Sequence, residues 1–141
     1  MKVRISRIDK GLPLPKYETA GAAAFDFLAR TTTKIDARSL GLVPGNVVVE
    51  TPKGYMLAIV PRSSTPRKYG LLIPHGVGVI DSDYCGPEDE VMVQVFNFTD
   101  KMVVVERGER VAQGMFVKIA RGEFTETKIN RRTRGGFGST G

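Results

Sequence analysis

An acidic turn follows a glycine-rich stretch near the middle of the chain, and its side chains are of types that can act in catalysis. Segment 74–86 alternates glycine with valine and then places Asp81, Asp83 and Tyr84 close together in sequence. Glycine inside an extended run indicates that another group approaches the backbone closely. A carboxylate beside such a place can act as a general base. Aspartate is also a common turn residue, and on this stretch alone an ordinary turn is the favoured interpretation.

A second candidate is the polar segment 61–65, which follows an apolar run. Its successive backbone N–H groups and the hydroxyls of Ser63 and Ser64 could surround a phosphate, with Arg62 adding positive charge. Further along the chain, Gln113 could contact the same ligand. The alternatives are a plain turn at 61–65 and a polar position on a strand face at Gln113. In isolation, the plain turn is favoured.

Composition excludes several classes of protein. The 141 residues carry a formal charge of +6 and are 41% apolar, which fits one folded domain and suits phosphate-bearing partners without being diagnostic. The one cysteine, Cys85, and the one histidine, His75, exclude a disulfide framework, a Cys/His zinc cluster and the zinc deaminase signature. Neither a signal peptide nor an apolar run of about 20 residues is present, so we expect a soluble, cytoplasmic protein.

Short apolar runs separated by turn residues dominate the chain. Two of them, 77–80 and 90–98, flank the acidic turn and predict a β-hairpin, and segment 61–69 could contain one helical turn. No segment has a long helical period, so the pattern predicts an all-β sandwich, jelly roll or barrel. The other predicted strands are 2–6, 24–29, 47–49, 55–60, 71–73, 102–105, 111–119 and 124–129, with further β-forming residues at 31–39.

The composition changes from Asn130 onward. Residues 1–129 are predicted to form a single β domain, whereas residues 130–141 are basic and rich in glycine, with one aromatic ring. Such a segment cannot form a core element, and we expect it to be mobile by itself. It could become ordered over a phosphate ligand, or it could be a disordered solubilising end, which composition alone favours.

Five stretches, taken in order, resemble the five motifs of the trimeric deoxyuridine triphosphate nucleotidohydrolases (dUTPases). They are 24–27 (AFDF), 61–64 (PRSS), 78–86 (GVIDSDYCG), 108–113 (GERVAQ) and 132–140 (RTRGGFGST). The resemblance covers nearly the whole chain, and the third and fifth motifs are the specific ones. It implies a homotrimer of jelly-roll-like β-barrels or sandwiches, each with a flexible glycine-rich C-terminal arm. The departures from the family pattern are Ala24, His75, Cys85, Thr133 and the acidic run 87–90.

The resemblance implies hydrolysis of dUTP to dUMP and pyrophosphate, which keeps uracil out of DNA and supplies dUMP for thymidylate synthesis. Asp81 would be the general base that activates a water for attack on the α-phosphorus. The implied cofactor is Mg²⁺, which binds through the phosphates and keeps water ligands. Asp26 would be a second catalytic residue that holds either the metal's water shell or the neighbours of the base. The alternative role of Asp26 is that of a buried strand acid paired with an arginine.

Substrate contacts are implied by the same resemblance. The backbone of Gly78, Val79 and Ile80 would match the pairing edge of uracil, and Tyr84 would pack under the deoxyribose and block a ribose 2′-hydroxyl. The phosphates would be held by Arg62, Ser63, Ser64 and Gln113. In the arm, Phe137 would cover the uracil, and the remaining predicted contacts are Arg132, Gly138, Ser139 and Thr140. The sites would lie between subunits, and neither a stable nucleic-acid partner nor a membrane is expected.

Two other functions remain open. A dCTP deaminase, or a bifunctional deaminase–diphosphatase, shares the β-rich trimer without zinc, but the turn at 81–84 and the tail at 135–140 favour dUTP hydrolysis. A module that binds single-stranded nucleic acid would need aromatic residues across one sheet face. Aromatic residues make up 8% of the chain and tryptophan is absent, so dUTP hydrolysis is the preferred hypothesis.

Overall fold

Residues 1–136, which are the residues that this computed structural model describes, contain eleven strands and one short helix. The all-β prediction is confirmed, and every strand pair is antiparallel. In chain order the elements are β1 Arg4–Arg7, β2 Phe25–Leu28, β3 Thr33–Ile35, β4 Leu40–Pro44, β5 Val47–Glu50, β6 Tyr55–Pro61, α1 Thr65–Tyr69, β7 Leu71–Leu72, β8 Gly78–Ile80, β9 Met92–Asn97, β10 Val103–Val105 and β11 Arg110–Lys118.

The strands form four sheets. The largest has the order β2-β11-β6-β8, the next has the order β4-β9-β7, and two small sheets pair β1 with β5 and β3 with β10. The nine-residue strand β11 pairs with β2 on one side and with β6 on the other. It therefore brings together three stretches that are far apart in sequence, and these carry most of the polar candidate residues.

One cluster of buried residues draws on all four sheets, and alternation along each strand decides which side chains enter it. On β9, Val93 and Val95 are buried whereas Met92 is exposed. On β2, Phe25 and Phe27 are buried on either side of Asp26. Gly114 on β11 makes room for both rings, because a Cβ at that position would lie 2.7–2.8 Å from them.

The helical turn predicted within 61–69 is confirmed as α1. Ser64 occupies the N-cap position and a proline lies in the first turn, where the missing N–H costs nothing. Gly70 ends the helix in the left-handed conformation at φ 68°, and its N–H donates to the carbonyl oxygen of Pro66. This is a common glycine termination, and it delivers the chain directly into β7.

The hairpin predicted from 77–80 and 90–98 is wrong. Strand β8 pairs with β6, whereas β9 pairs with β4 and β7 in a different sheet. The connection 81–91 is far longer than a two-residue hairpin turn, so it can carry the chain from one sheet to the other. Each strand has a long-range partner, and the local pattern around the turn could not show this.

The predicted strand at 124–129 is also absent from the described residues. Phe124 is 99% exposed and Ile129 is 79% exposed, so neither apolar side chain is buried within one protomer. Strand β4 was not predicted, because Gly41 and Pro44 are poor strand residues. Among residues 1–136, no helix is long and apolar enough to span a membrane.

Candidate active site

A polar corner forms where β2, β11 and β6 lie side by side. Asp26 of β2 is directly opposite Gln113 of β11, and Gln113 is opposite Val60 of β6. Gln113 Nε2 donates a hydrogen bond to the carbonyl oxygen of Pro61 at 3.1 Å. Strand pairing therefore brings the first, second and fourth of the candidate motifs to one end of the largest sheet.

Two guanidinium groups share the Asp26 carboxylate in this corner. Arg62 Nε lies 2.7 Å from Asp26 Oδ1, and Arg110 Nη1 lies 3.6 Å from Asp26 Oδ2. The Asp26 side chain is only 14% exposed, so solvent screens these pairs less than it would at an open surface. Arg110 also contacts Glu18 at 2.9 Å. Asp26 is thus an acid paired with arginine, the alternative that was considered from the sequence.

Ser63 and Ser64 belong to the corner and directly precede α1. The Ser64 hydroxyl makes no capping hydrogen bond to the helix. The backbone is instead fixed by hydrogen bonds from the N–H of Thr65 to the carbonyl oxygen of Arg62 at 3.0 Å and from the N–H of Lys68 to that of Ser64 at 2.8 Å. Thr65 is buried, and its hydroxyl donates to the carbonyl oxygen of Val111. The helix start is therefore tied to β11.

A cleft of about 370 Å³ opens beside β8. Strand β8 is an edge of its sheet, because it pairs only with residues 57–59 of β6 among the described strands. The cleft is lined by β8 and by the start of β9, with His75 at its rim. A Cβ at position 78 would lie 3.3 Å from His75 Cε1 and 3.1 Å from Ile59 Cβ. Gly78 therefore lets the side chains of Ile59 and His75 pack closely against the backbone of β8.

The acidic turn follows directly after this edge. Tyr84 donates its backbone N–H to the carbonyl oxygen of Asp81 at 3.3 Å, and its phenol donates to the carbonyl oxygen of Glu90 at 3.1 Å. Asp81 is exposed and lines a cleft of about 590 Å³ together with Lys53, Tyr55 and Arg121. A carboxylate in this position is accessible to a water molecule and to a phosphorylated ligand.

One protomer keeps the polar corner and the acidic turn apart. Asp26 is level with Val60 of β6, and Asp81 comes one residue after Ile80, which is level with Leu57. Four residues along a strand correspond to about 13 Å and three interstrand spacings to about 14 Å, so the backbone positions of Asp26 and Asp81 are about 19 Å apart. No side chain can bridge that distance.

The predicted residues thus fall into two groups and a remainder. The corner contains Asp26, Arg62, Ser63, Ser64 and Gln113, and the edge and turn contain Gly78, Val79, Ile80, Asp81 and Tyr84. Arg132 is exposed and lies in neither group. Phe137, Gly138, Ser139 and Thr140 lie outside the described residues.

Sequence reasoning missed Arg110 and Glu18, both of which belong to the corner. Arg110 lies within the fourth motif stretch, which was the available signal, whereas nothing local marks Glu18 as its partner. Among residues 1–136, no group of three or more histidine, cysteine or acidic side chains is arranged to hold a metal ion. The described residues therefore offer no all-protein metal cage.

Comparisons with known proteins identify one family. A family model described as dUTPase matches residues 10–141. The chain is 39% identical over 134 residues to the deoxyuridine 5'-triphosphate nucleotidohydrolase of Lactococcus lactis, covering 93% of this chain and 89% of the relative. It is 36% identical to the enzyme of the same name from Dictyoglomus turgidum, covering 100% and 99%.

Solved structures show the same architecture. The crystal structure of dUTPase from Streptococcus mutans is 38% identical and superposes with a TM-score of 0.78, covering 85% of this chain and 98% of that one. A dUTPase of Staphylococcus bacteriophage 80alpha, solved with dUpNHpp, superposes with a TM-score of 0.85 at 21% identity. At that identity the second comparison shows the fold alone, which is jelly-roll-like.

Proposed function

The chain belongs to the dUTPase family, and from this premise we propose how it hydrolyses dUTP to dUMP and pyrophosphate. A water activated by Asp81 attacks the α-phosphorus, and the substrate is recognised by the edge of β8. One observation carries the proposal: the free strand edge at Gly78–Ile80 opens into a cleft and leads directly to an exposed carboxylate at Asp81. Base recognition and water activation are therefore adjacent in space.

The strand edge accounts for the choice of base. Uracil has a carbonyl, an N–H and a carbonyl along its pairing edge, and the outward backbone groups of residues 76–80 can match that pattern. Cytosine would present a donor where uracil has an acceptor, and each unpaired buried group would cost about 1–3 kcal/mol. Close approach to Gly78 leaves little room for the methyl group of thymine. Tyr84 packs under the deoxyribose and excludes a ribose 2′-hydroxyl.

The polar corner is the proposed phosphate site. Arg62 supplies the charge, Ser63 and Ser64 supply hydroxyl donors, and Gln113 supplies an amide. The partial burial of Arg62, which is 25% exposed, supports this role because a charge-assisted hydrogen bond is stronger away from bulk water. Asp26 holds the Arg62 guanidinium in place and is the acid nearest to the phosphates.

A complete site requires more than one copy of the chain. The separation of about 19 Å between Asp26 and Asp81 is the first support for sites between the subunits of a homotrimer. The second is an apolar face on the β4-β9-β7 sheet, where Leu40 and Leu72 both lie beside Phe96. The exposed large side chains of this face are Leu40 at 59%, Leu42 at 54%, Leu72 at 43% and Met92 at 37%. A face of this kind indicates an interaction surface.

Residues 130–141 form the proposed substrate-covering arm, appended to a single β domain of residues 1–129. Residues 119–136 continue beyond β11 without a further strand or helix, which supports an arm that can reach a neighbouring subunit. Phe137 would cover the uracil, while Arg132, Gly138, Ser139 and Thr140 would close over the phosphates. Closure of such a segment excludes bulk water and assembles the site.

Mg²⁺ is the proposed cofactor, and it would be held chiefly by the triphosphate and its own water ligands. The donor set fits this mode, because residues 1–136 show no cluster of three metal-ligating side chains and both Asp26 oxygens already face guanidinium groups. Asp26 would contact the ion through water. The bound ion would neutralise charge on the phosphate oxygens.

The proposed role in the cell is to keep uracil out of DNA and to supply dUMP for thymidylate synthesis. Hydrolysis of dUTP lowers the amount of this nucleotide available for incorporation, and its product is the substrate for methylation at C5. We place the enzyme in the cytoplasm, since its single cysteine gives no support for a disulfide-forming compartment.

The decisive test is pyrophosphate release from dUTP, dCTP, dTTP and UTP with Mg²⁺. We expect a preference for dUTP of at least about a hundredfold over dCTP, because several groups of cytosine would be mismatched at about 1–3 kcal/mol each. Turnover of dTTP and UTP should also be lower than that of dUTP, because the methyl group and the 2′-hydroxyl are sterically excluded. Release of ammonia from dCTP would assign the chain to the deaminases. Absence of turnover of all four nucleotides would contradict the enzymatic proposal.

A further inference from the structure

The segment 81–91 connects two different sheets and carries both Asp81 and Tyr84. It leaves the four-stranded sheet at the end of β8 and enters the three-stranded sheet at β9. Neither neighbouring strand fixes its course, because β8 and β9 do not pair with each other. The positions of the acid and the phenol must therefore be set by contacts of the segment itself.

The strongest of these contacts are made by the Glu90 carboxylate. Arg30 donates to it from Nε at 2.8 Å and from Nη2 at 2.9 Å, and the backbone N–H of Asn46 donates to Oε1 at 2.8 Å. The Glu90 side chain is 11% exposed and the Arg30 side chain 30% exposed. A two-pronged, largely buried pair of this kind has a defined geometry.

The partners of Glu90 are themselves immobilised. The backbone N–H of Arg30 donates to the carbonyl oxygen of Pro44 at 2.8 Å. Asn46 is 1% exposed, lies in the left-handed conformation at φ 68° and exchanges hydrogen bonds with the backbone of Asp9. The carboxylate is thus held by Arg30, which follows β2, and by Asn46 in the turn between β4 and β5.

Glu90 is connected through Tyr84 to the end of the segment that carries Asp81. The phenol donates to the Glu90 carbonyl oxygen at 3.1 Å. Between the two residues, the chain closes a small turn in which the N–H of Gly86 donates to Asp89 Oδ2 at 2.7 Å and the N–H of Asp89 donates to the carbonyl oxygen of Gly86 at 3.0 Å. The acidic run 87–90 is therefore a folded connector.

We propose that Glu90 is a positioning residue for sugar recognition: its carboxylate, held by Arg30 and Asn46, fixes the carbonyl oxygen that orients the Tyr84 ring. The inference rests on the proposed function, because the Tyr84 ring is taken to face the deoxyribose. It assigns a role to the acidic run, which departs from the family pattern. Glu90 itself does not touch the substrate.

The test compares Glu90→Gln with wild type for both dUTP and UTP. Glutamine keeps the size of the side chain but loses the charge that pairs with Arg30. We expect the dUTP:UTP ratio of kcat/KM to fall about fivefold, through a rise of about fivefold in KM for dUTP, with kcat changing less than about twofold. Asp100→Asn is the matched control, since Asp100 pairs with Arg38 at 2.8 Å on an exposed surface. That control should leave the ratio unchanged.

A purely structural role predicts a different result. It would lower the melting temperature of Glu90→Gln while leaving the dUTP:UTP ratio as in wild type, and this outcome would overturn the proposal. Should Glu90→Gln fail to fold, Tyr84→Phe removes only the hydroxyl group that donates to the Glu90 carbonyl oxygen and keeps the ring. An unchanged sugar ratio in Tyr84→Phe would overturn the proposal equally.

Hydrogen exchange separates this inference from the proposed function. Amides of residues 82–89 should exchange about tenfold faster in Glu90→Gln than in wild type, whereas those of β11 should not change. If wild type fails to hydrolyse dUTP, the proposed function is lost, yet exchange still reports whether Glu90 anchors the segment. Unchanged exchange in the variant would overturn the anchoring itself.

Discussion

Arg62 Nε lies 2.7 Å from Asp26 Oδ1, although β2, which carries Asp26, and β6, which Arg62 follows, are not neighbouring strands. Strand β11 lies between β2 and β6, so the arginine, just beyond the end of β6, reaches across it. Both side chains are mostly buried, at 25% and 14% exposure. The contact joins two of the candidate motifs and holds the Arg62 guanidinium at one end of the largest sheet. The proposed phosphate site is built around this guanidinium.

The role of Asp81 as the base predicts a selective loss of chemistry. In Asp81→Asn we expect kcat for dUTP to fall by a factor of about 10²–10⁴, the usual contribution of a general base. The Kd of the non-hydrolysable analogue dUpNHpp should change by less than about threefold, because an amide preserves the shape and most of the binding contacts. Single-turnover kinetics and calorimetric titration measure the two quantities.

Asp83→Asn is the control for this prediction, because Asp83 lies in the same exposed turn. It should retain kcat within about threefold of wild type. Near-normal turnover in Asp81→Asn would keep the reaction and remove Asp81 as its base.

Sites shared between subunits predict that two inactive variants restore each other. Asp81→Asn damages the turn and Arg62→Gln damages the corner, about 19 Å away in the same protomer. After joint unfolding and refolding at equal concentrations, a site that combines the intact turn of one chain with the intact corner of another should form. Random mixing makes about one quarter of the sites fully intact.

The measurement for this prediction is dUTP turnover of the mixture, with light scattering to confirm a trimer. Each variant refolded alone provides the baseline. A mixture no more active than the sum of its components would show that each site is built within one chain.

Gly114 predicts a stability effect that is independent of catalysis. A Cβ at this position would lie 2.7 Å from Phe27 Cε2 and 2.8 Å from Phe25 Cζ, and these two rings pack edge to face at 5.3 Å. Gly114→Ala must displace them, which should cost about 1–3 kcal/mol of unfolding free energy. Urea denaturation at fixed protomer concentration measures the change.

Gly21→Ala is the matched control, because nothing lies within 4 Å of a Cβ at that position and its φ is not in the left-handed region. It should change the unfolding free energy by less than about 0.5 kcal/mol. Equal stability of the two variants would mean that the aromatic rings can relax freely around position 114.

The contribution of Glu109 to the free energy of unfolding should depend on pH. Burial opposes its ionisation, but hydrogen bonds with Lys68 and Tyr69 and from the Glu106 N–H outweigh burial and hold the pKa of Glu109 below its ordinary value of 4.5. The contact with Lys68 measures 2.8 Å. A carboxyl group whose folded-state pKa is lowered adds stability above its unfolded pKa and loses that stability as the pH falls through the folded-state pKa.

Wild type should therefore exceed Glu109→Gln in unfolding free energy at about pH 7, and the difference should shrink below about pH 4.5. Urea denaturation across this range provides the measurement. Lys68→Met should behave in the same way, since it removes the partner. A difference that stays constant from neutral to acid pH would contradict the assignment.

The local sequence pattern predicted the positions of several strands well, but it did not predict which strands pair with each other. The alternation of Val91, Val93 and Val95 with Met92 and Gln94 identified β9. Successive side chains on a strand point to opposite faces, so burial alternates along it. The β-forming residues at 124–129 predict a strand that the described residues lack, since a strand also needs a pairing partner and an opposing surface. The hairpin around Asp81 was wrong because both flanking strands find partners elsewhere in the fold.

The all-β class and the family follow from the sequence, because alternation, turn residues and ordered motifs are properties of short segments. The contact of Arg62 with Asp26, the free edge of β8 and the pairing of Glu90 with Arg30 become visible only in the folded chain. These relationships join residues distant along the chain. They depend on strand order and register, which arise from the packing of the whole core and not from any local pattern.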